Sequence, residues 1–292
     1  MNYFEDRTDK LLCGDGKERS ILLWEPENPS VVFILVHGAL DHAGAYFTPA
    51  LFFREHGIAT AALTQRGHDH RGPDHPSRVI IRHFEDFLDD LGLMLEKVKK
   101  DFPGIPVFFI AHSMGCLVGT HFGIRRLGED PDVKGFIFSS PYFVNAVRAP
   151  KIVIRVAGIL AALVPRMKAP VEDFVDFVTR DREIMKRHRE DQKAGMKGLT
   201  VSIRFGNELI KAQEWLPGHI GEWKYPLLLI VAGSDRLADA EATRQLAGTI
   251  DQGLVTELYY PENFHENFNE PNRKEIYGEI LKWVHERIPA PG

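Results

Sequence analysis

Ser113, Asp235 and His265 follow one another along the chain and could together make a hydroxyl group reactive. A serine hydroxyl is a weak nucleophile until a histidine takes its proton, and that histidine needs a carboxylate that fixes its tautomer. An apolar run leads into Ser113 in the segment PVFFIAHSMGCLVG, and a helical pattern follows the serine. This strand-to-helix setting favours a nucleophile elbow over the alternative, a helix N-cap serine without chemistry. We therefore predict that Ser113 is a nucleophile.

The partners of this serine are predicted from chain order and from the apolar runs that precede them. Leu227–Ala232 leads into Asp235, and Gly253–Tyr260 leads into His265. Loops at the carboxyl ends of parallel strands are where open α/β sheets build their sites. Serine, acid and histidine in this chain order are one of the orders in which catalytic triads occur. We predict that His265 is the base and that Asp235 orients it.

Five further residues compete for these roles, and each has a simpler interpretation. Asp239 is expected at the start of the next helix, where a carboxylate is favourable. His219 falls in an insert and His285 in the middle of the last helix. His37 and His42 are expected to hold their own loop through local hydrogen bonds.

An early loop is expected to help stabilise the oxyanion that forms when a carbonyl is attacked. Val31–Val36 leads into His37-Gly38-Ala39, and Gly38 allows the backbone to turn its amides toward the site. The amide of Met114, directly after the nucleophile, lies at a helix N-terminus. We predict that the N–H groups of Ala39 and Met114 form the oxyanion hole.

A cluster of histidines and aspartates offers a metal site as an alternative. It consists of His68, Asp69, His70, Asp74 and His75. The H-x-H-x-D-H pattern of metallo-hydrolases needs an acid where this chain has Gly72. We therefore expect a polar loop here, with neither a metal nor another cofactor.

The elements that must position these residues alternate along the chain. Nearly unbroken apolar runs indicate parallel strands covered on both faces, at Val31–Val36, Ile58–Leu63, Pro106–Ala111, Val133–Ser139, Leu227–Ala232 and Gly253–Tyr260. Ser20–Trp24 is expected near the sheet edge. Helical stripes run from Phe84 to Val98 and from Ile276 to Ile288. The pattern predicts an α/β fold, a mostly parallel twisted sheet with helices on both faces.

Residues 142–223 break this alternation and carry helical patterning without a convincing strand. Ile152–Val164 is apolar apart from Arg155, Asp181–Lys193 is dense in mixed charge, and a four-three-four spacing runs from Leu199 to Ile210. We predict a helical lid insert at 142–223, with a core formed by residues 1–141 and 224–292. Ile152–Val164 is expected either to pack on its own core or to touch a lipid surface, with Arg155, Arg166 and Lys168 suited to anionic headgroups.

Composition excludes several classes of protein. The net charge of −5 gives no electrostatic footprint for nucleic acid. The sequence contains no run of about 20 apolar residues, which a helix needs to span a bilayer. The N-terminal segment lacks the apolar stretch of a signal peptide. Two cysteines, Cys13 and Cys116, are too few for a disulfide scaffold. We expect a cytoplasmic protein that could touch membranes peripherally; the oligomeric state is not predicted.

Five ordered segments resemble the monoacylglycerol lipase and lysophospholipase branch of the α/β-hydrolases, also described as serine aminopeptidase S33-like. They are VHGALDHAGAY at 36–46, QRGHDHRG at 65–72, AHSMG at 111–115, AGSDRLAD at 232–239 and YPENFHENFNEPNR at 260–273. FVTRDREIMKRHRED and TVSIRFGNELIKA are similar to lid segments of that branch. The chain departs from its pattern at Ala111, Cys116 and Asp69, where the family usually has glycine.

The resemblance implies a serine carboxylic-ester hydrolase with a Ser113–Asp235–His265 triad, a lid and no cofactor. It implies a small ester substrate, a monoacylglycerol or a lysophospholipid, cleaved through an acyl-enzyme. A short-chain carboxylesterase remains an alternative, as does a catalytically inactive binding protein. An aminopeptidase is also possible, in which an acid in the insert would hold the substrate amine; the candidates are Glu172, Asp173 and Asp176.

Overall fold

The computed structural model describes residues 3–68, 79–147 and 150–288. The strands are β1 (Arg7–Leu12), β2 (Glu18–Trp24), β3 (Val31–Val36), β4 (Ile58–Leu63), β5 (Val107–His112), β6 (Val133–Ser139), β7 (Lys168–Pro170), β8 (Thr200–Ser202), β9 (Leu227–Ala232) and β10 (Val255–Tyr260). The helices are α1 (Phe47–Glu55), α2 (Glu85–Asp101), α3 (Met114–Arg125), α4 (Lys151–Leu163), α5 (Val175–Val178), α6 (Arg182–Lys193), α7 (Ile203–Trp215), α8 (Ala240–Ala247) and α9 (Arg273–His285).

Eight strands form one sheet in the order β1-β2-β4-β3-β5-β6-β9-β10. The pairs β1–β2 and β2–β4 are antiparallel, and the remaining pairs are parallel. The predicted α/β fold with a mostly parallel sheet is therefore confirmed. The sequence interpretation did not include β1, because the run RTDKLL is mostly polar and has one buried side chain, Leu11. It also placed the start of β5 one residue early and the start of β10 two residues early.

Helices cover both faces of the sheet, as the unbroken apolar strands require. On β3, Val32 and Ile34 face the core that contains α2 and α3, whereas Val31 and Phe33 face the core that contains α1 and α9. Side chains of a strand point alternately to opposite faces, so a strand buried on both sides is apolar at every position. The parallel strands between these two cores end at the same edge of the sheet.

The insert, residues 142–223, leaves the sheet after β6 and returns to it at β9. It contains helices α4 to α7, and it also contains β7 and β8, which pair in an antiparallel ribbon. The expectation of helical patterning alone is wrong here, because strands of three residues are too short to produce an alternating pattern. Leu199 lies just before β8 and outside α7, so the helical spacing assigned to 199–210 begins only at Ile203.

Candidate active site

Ser113 occupies the sharp turn that its sequence setting predicts. It lies between the last residue of β5 and the first residue of α3, with φ of 54° and ψ of −120°. A positive φ is strained for a residue with a Cβ, and such strain concentrates at functional sites. A Cβ built on Gly115 would lie 2.1 Å from the carbonyl oxygen of Val36, so only glycine allows α3 to begin this close to β3. Gly115, the glycine of the segment AHSMG, therefore has a steric role.

The two departures from the family pattern next to Ser113 are accommodated by the fold. Ala111 is a buried residue of β5 that pairs with Val36 and Phe138, and its methyl group packs in the core on the face covered by α2 and α3. Cys116 is fully buried, and its Sγ lies 3.5 Å from the carbonyl oxygen of Ser139. Burial raises the pKa of this thiol well above its usual range. Cys116 therefore behaves as a small buried hydrophobic residue.

Asp235 and His265 are brought together by loops that follow neighbouring strands, β9 and β10. His265 Nδ1 donates to Asp235 Oδ2 at 2.7 Å. The second carboxylate oxygen accepts from the backbone amides of Leu237 and Ala238 at 2.8 and 3.1 Å. Both side chains are almost fully buried. The carboxylate thus holds the proton on Nδ1 and leaves Nε2 as the acceptor of the ring.

The charges of this pair support each other. Burial alone would lower the pKa of His265, but the charge and hydrogen bond of Asp235 outweigh burial and raise it above the ordinary histidine value. Burial would raise the pKa of Asp235, whereas His265 and the two backbone amides keep it lowered. The adjacent His112, whose ring centroid is 4.6 Å from that of His265, has its pKa lowered to about 3 by burial. Of these two histidines, His265 is the one suited to gain a proton near neutral pH.

The residues predicted for the oxyanion hole lie beside Ser113. Met114 is the first residue of α3, where a backbone N–H has no acceptor within the helix. Ala39 follows β3 and lines the same cavity as Ser113. A Cβ built on Gly38 would lie 3.2 Å from Ser113 Cβ, which shows how closely the loop approaches the serine.

The competing residues have different structural roles. Asp239 caps α8 by accepting from the amide of Ala242 at 2.9 Å. His37 Nδ1 donates to the carbonyl oxygen of Gly38, and its Nε2 accepts from the amide of Gln65. Burial lowers the pKa of His37 to about 3. His42 Nε2 lies 3.4 Å from Asp191 of the insert, so the expectation of a local hydrogen bond is wrong for His42. His219 stacks on Trp215, and His285 is the exposed last residue of α9 rather than a residue in the middle of that helix.

The predicted alternative of a metal site falls largely outside the described residues. Asp69, His70, Asp74 and His75 are not part of the described ranges, whereas His68 is buried. Within residues 3–68, 79–147 and 150–288, no cluster of histidine, cysteine, aspartate and glutamate could hold a metal ion.

Ser113 and His265 lie on the wall of one cavity of about 660 Å³. One side of this cavity is apolar and is formed mainly by the insert, with side chains from Val171, Phe174, Val175, Phe177, Val178, Leu199, Val201, Phe205, Leu209 and Ile210. In the part of the chain that the structure describes, α4 contributes no residue to this wall. The insert and the strand-end loops thus enclose a shared space around the serine.

A cluster of charged side chains also lines the cavity and forms its charged wall, which the sequence interpretation missed. Lys197 lies 3.1 Å from Asp41 and 3.9 Å from Glu266, and His188 Nε2 lies 2.8 Å from Glu266. These four residues line the cavity and are largely buried. The neighbouring charges lower the pKa of Asp41 to about 2 and raise that of Lys197, in each case against the effect of burial. Of these four residues only His188 lies in the segment of dense mixed charge at 181–193, and that pattern by itself suggests a solvated helix.

No helix within the described ranges is long and apolar enough to cross a membrane.

The chain is 28% identical over 281 residues to a monoacylglycerol lipase of Mycolicibacterium smegmatis, covering 95% of this chain and 97% of that protein. It is 26% identical over 258 residues to phospholipase YtpA of Bacillus subtilis, covering 87% and 95%. The crystal structure of Paleococcus ferrophilus monoacylglycerol lipase superposes with a TM-score of 0.78 at 20% identity, covering 93% of this chain and all of that one. The two sequence likenesses support a hydrolase of the esterase and lipase kind, and the likeness to the crystal structure shows the fold. The family model described as serine aminopeptidase S33 (Hydrolase_4) matches residues 27–272, and the chain therefore belongs to this family of α/β-hydrolases.

Proposed function

We propose that this protein is a serine carboxylic-ester hydrolase that cleaves monoacylglycerols through an acyl-enzyme on Ser113. The observation that carries the proposal is the cavity, which joins an apolar wall and a charged wall at the serine and the His265–Asp235 pair. A monoacylglycerol has the same division, with an acyl chain on one side of its ester and a diol on the other. The likeness to a mycobacterial monoacylglycerol lipase supports the same assignment.

The reaction proceeds in two steps on the same three residues. His265 Nε2 takes the proton of Ser113 as the hydroxyl attacks the ester carbonyl, and the oxyanion accepts from the amides of Ala39 and Met114. The tetrahedral intermediate collapses, and glycerol leaves with the proton from His265. Water then attacks the acyl-enzyme with His265 again as base, releasing the fatty acid. In both steps Asp235 stabilises the imidazolium of His265, because its carboxylate accepts the hydrogen bond from Nδ1.

The charged wall suits a neutral diol. The ammonium group of Lys197 donates hydrogen bonds, whereas the carboxylates of Asp41 and Glu266 accept them. The wall can therefore both donate hydrogen bonds to the hydroxyl groups of a diol and accept hydrogen bonds from them. Lys197 is outnumbered by the two carboxylates beside it. An anionic headgroup would therefore find no excess of positive charge on this wall, which favours glycerol as the leaving group.

A lysophospholipid is the second candidate substrate, and one cation at the rim of the cavity favours it. Arg236 lines the cavity, is exposed, and lies over the ring of Phe177 at 4.7 Å. It forms no ion pair with a carboxylate among the described residues. A phosphate held at this rim would keep the headgroup away from the charged wall. The likeness to a phospholipase of Bacillus subtilis supports this second substrate.

An aminopeptidase, a short-chain carboxylesterase and an inactive binding protein receive less support. For an aminopeptidase, Asp173 and Asp176 are already paired with Arg189 at the surface, which leaves Glu172 on the cavity wall as the candidate for binding an amine. A short-chain carboxylesterase would not need the long apolar wall. An inactive binding protein would not need the oriented His265–Asp235 pair.

We further propose that the insert acts as a lid and that α4 docks on lipid. Several large apolar side chains of this region are about half or more exposed, namely Ile152, Val153, Val156, Ile159, Leu163, Val164 and Met167. Exposed Arg155, Arg166 and Lys168 lie next to them in sequence and suit anionic lipid. The enzyme would thus act as a cytoplasmic protein that meets membranes peripherally and takes its substrate from them.

The test compares Ser113→Ala with Ser30→Ala on p-nitrophenyl butyrate, on a monoacylglycerol and on a lysophosphatidylcholine. We expect Ser113→Ala to lose turnover of all three and to lose labelling by a fluorophosphonate probe. Ser30 lies on a loop and bonds to the carbonyl oxygen of Gly57, so its replacement serves as the matched control with wild-type activity.

Two results would contradict the proposal. Substantial ester hydrolysis by Ser113→Ala would show that Ser113 is not the nucleophile. Wild-type turnover of amino-acyl amides without turnover of esters would favour an aminopeptidase. If the wild type hydrolyses both lipids, a faster rate on lysophosphatidylcholine than on monoacylglycerol would identify lysophospholipids, and not monoacylglycerols, as the preferred substrate.

A further inference from the structure

A short segment of the insert, Val178–Asp181, lies directly against the loop that carries His265. The hydroxyl of Thr179, which is fully buried, donates to the carbonyl oxygen of Asn269 at 2.8 Å. This contact joins residues that are 90 positions apart in the chain. The segment is therefore packed into the catalytic edge of the sheet rather than suspended above it.

Arg180 makes the most extensive contacts of this segment. Its Nε donates to Glu270 Oε2 at 2.7 Å, and its backbone amide donates to Glu270 Oε1 at 3.0 Å. A third bond runs from Nη2 to Asn263 Oδ1 at 3.1 Å. The side chain of Glu270 is fully buried, so its charge depends on these donors.

Glu270 in turn holds the backbone on one side of His265, and the insert holds the backbone on the opposite side. Glu270 Oε1 accepts from the amide of Phe264 at 3.3 Å. The amide of Glu266 donates to the carbonyl oxygen of Val178 at 2.7 Å. Both residues that flank His265 are thus tied to the insert, one of them through the charge of Arg180.

We propose that Arg180 is a positioning residue for His265, acting through Glu270 and the backbone amide of Phe264. This inference rests on the proposed function, since it assigns to His265 the role of base. Without the guanidinium group, Glu270 becomes a buried carboxylate that has lost the cation paired with it. A buried carboxylate without its cation is strongly destabilising, and relieving it shifts the Glu270 side chain together with the Phe264 amide that donates to it.

A small displacement of the base matters because proton transfer depends on geometry. A shift of about 1 Å can cost about 100-fold in rate. It also lengthens the hydrogen bond to Asp235, on which the raised pKa of His265 depends. Substrate binding is affected less, because Arg180 is not among the residues that line the cavity.

The test measures kcat, KM and the pH profile of Arg180→Ala on p-nitrophenyl butyrate. We expect kcat to fall by roughly 30- to 100-fold, with KM changed by less than about threefold. The acid limb of kcat/KM should move to lower pH, because a weaker bond to Asp235 leaves burial to lower the pKa of His265. Guanidinium ion added to Arg180→Ala should restore part of the lost kcat, since it can occupy the vacated site beside Glu270.

Arg189→Ala is the matched control, because Arg189 lies in the same insert and pairs with exposed Asp173 and Asp176. We expect wild-type kcat and pH profile for this variant. Arg180→Lys keeps the charge with fewer donors and should lose kcat by a smaller factor than Arg180→Ala. If Arg180→Ala does not fold, Arg180→Lys serves as the test. In that case a wild-type kcat and an unshifted acid limb of kcat/KM in Arg180→Lys would overturn the proposal.

The proton on His265 Nδ1 gives a readout that does not depend on activity. Hydrogen-bonded to a carboxylate, it should resonate far downfield in the proton NMR spectrum, and Ser113→Ala should retain this signal. Adding Arg180→Ala to that variant should shift or broaden it. An unchanged signal, or a loss of kcat no larger than in Arg189→Ala, would overturn the role of Arg180. Activity retained in Ser113→Ala would instead overturn the proposed function and leave the NMR result intact.

Discussion

Helices α2 and α4 are both apolar enough to pack, yet they lie in opposite surroundings. In α2 the apolar stripe is buried against the sheet, and Leu91 in the middle of it is 5% exposed. In α4 the buried position is a small residue, Ala161, whereas Ile152 and Ile159 are 65% and 61% exposed. The side of α4 toward α7 thus carries small residues, Gly158 and Ala161, whereas several of its large side chains lie in solvent.

This difference separates two tasks in the molecule. Large side chains in the core stabilise the sheet and hold the strand ends at which Ser113, Asp235 and His265 lie. The exposed large side chains on α4 add little to the stability of the described fold, because burial is what makes an apolar side chain stabilising. We therefore expect core changes to affect stability and chemistry, and α4 changes to affect how the enzyme meets its substrate.

The largest expected effect compares a carboxylate of the core with a carboxylate of the insert. Asp235→Asn cannot hold the proton on His265 Nδ1, and we expect kcat to fall on the order of 10⁴-fold. The acid limb of the residual kcat/KM should move to lower pH. Catalysis needs neutral His265, and Asp235 is what raises the pKa of that histidine against the effect of burial.

Glu172→Gln is the control, since Glu172 lines the same cavity from the insert. We expect wild-type ester turnover and an unchanged pH profile for this variant. Similar losses of kcat in both variants would show that the loss does not depend on the bond between Asp235 and His265, and would break this comparison.

The second expected effect concerns the free energy of unfolding. Leu91→Ala leaves a cavity in the core and should lower the free energy of unfolding by about 2–5 kcal/mol. Ile159→Ala removes a side chain that is mostly in water and should change it by no more than about 0.5 kcal/mol. Urea denaturation followed by circular dichroism measures both. A comparable loss in the two variants would mean that α4 belongs to the folded core.

The smallest expected effect concerns membranes. Replacing Ile152 and Ile159 together by serine should weaken binding to phosphatidylcholine–phosphatidylglycerol vesicles by roughly tenfold, because apolar surface is no longer available to the lipid. Turnover of soluble p-nitrophenyl butyrate should not change. Sedimentation with the vesicles measures binding.

Leu12→Ser is the matched control for vesicle binding, because Leu12 on β1 is 64% exposed and lies far from the insert in sequence. We expect it to bind vesicles as the wild type does. An equal loss of binding in this variant would show that any exposed apolar side chain serves, and would remove the special role of α4.

Much of the core could be predicted, whereas the periphery could not. The buried strands β3, β4, β6 and β9 were located with their observed bounds, because a strand covered on both faces must be apolar throughout. Strand β1 gave no such pattern, since it lies at the sheet edge and is largely exposed. The ribbon of β7 and β8 was missed because its strands are too short for periodicity.

The same limit applies to the site. Ser113, Asp235 and His265 were found because each follows a recognisable strand. Their triad role remains a prediction, although the hydrogen bond between Asp235 and His265 agrees with it. The partnership of Arg180 with Glu270 left no trace in either segment, because an arginine in a charged stretch has the same pattern whether it is solvated or buried against a carboxylate.

The sequence by itself determined the central strands and the alternation of strands and helices in the core, the turn at Ser113 and the edge at which the acid and the base would lie. These features depend on local patterns, which are apolar runs, turn residues and one required glycine. Tertiary structure alone decided that Lys197 faces Asp41 and Glu266 in the cavity, and that α4 leaves its large side chains in solvent. Such features depend on contacts between distant residues, and charge or hydrophobicity along the chain does not specify which distant partner a side chain will meet.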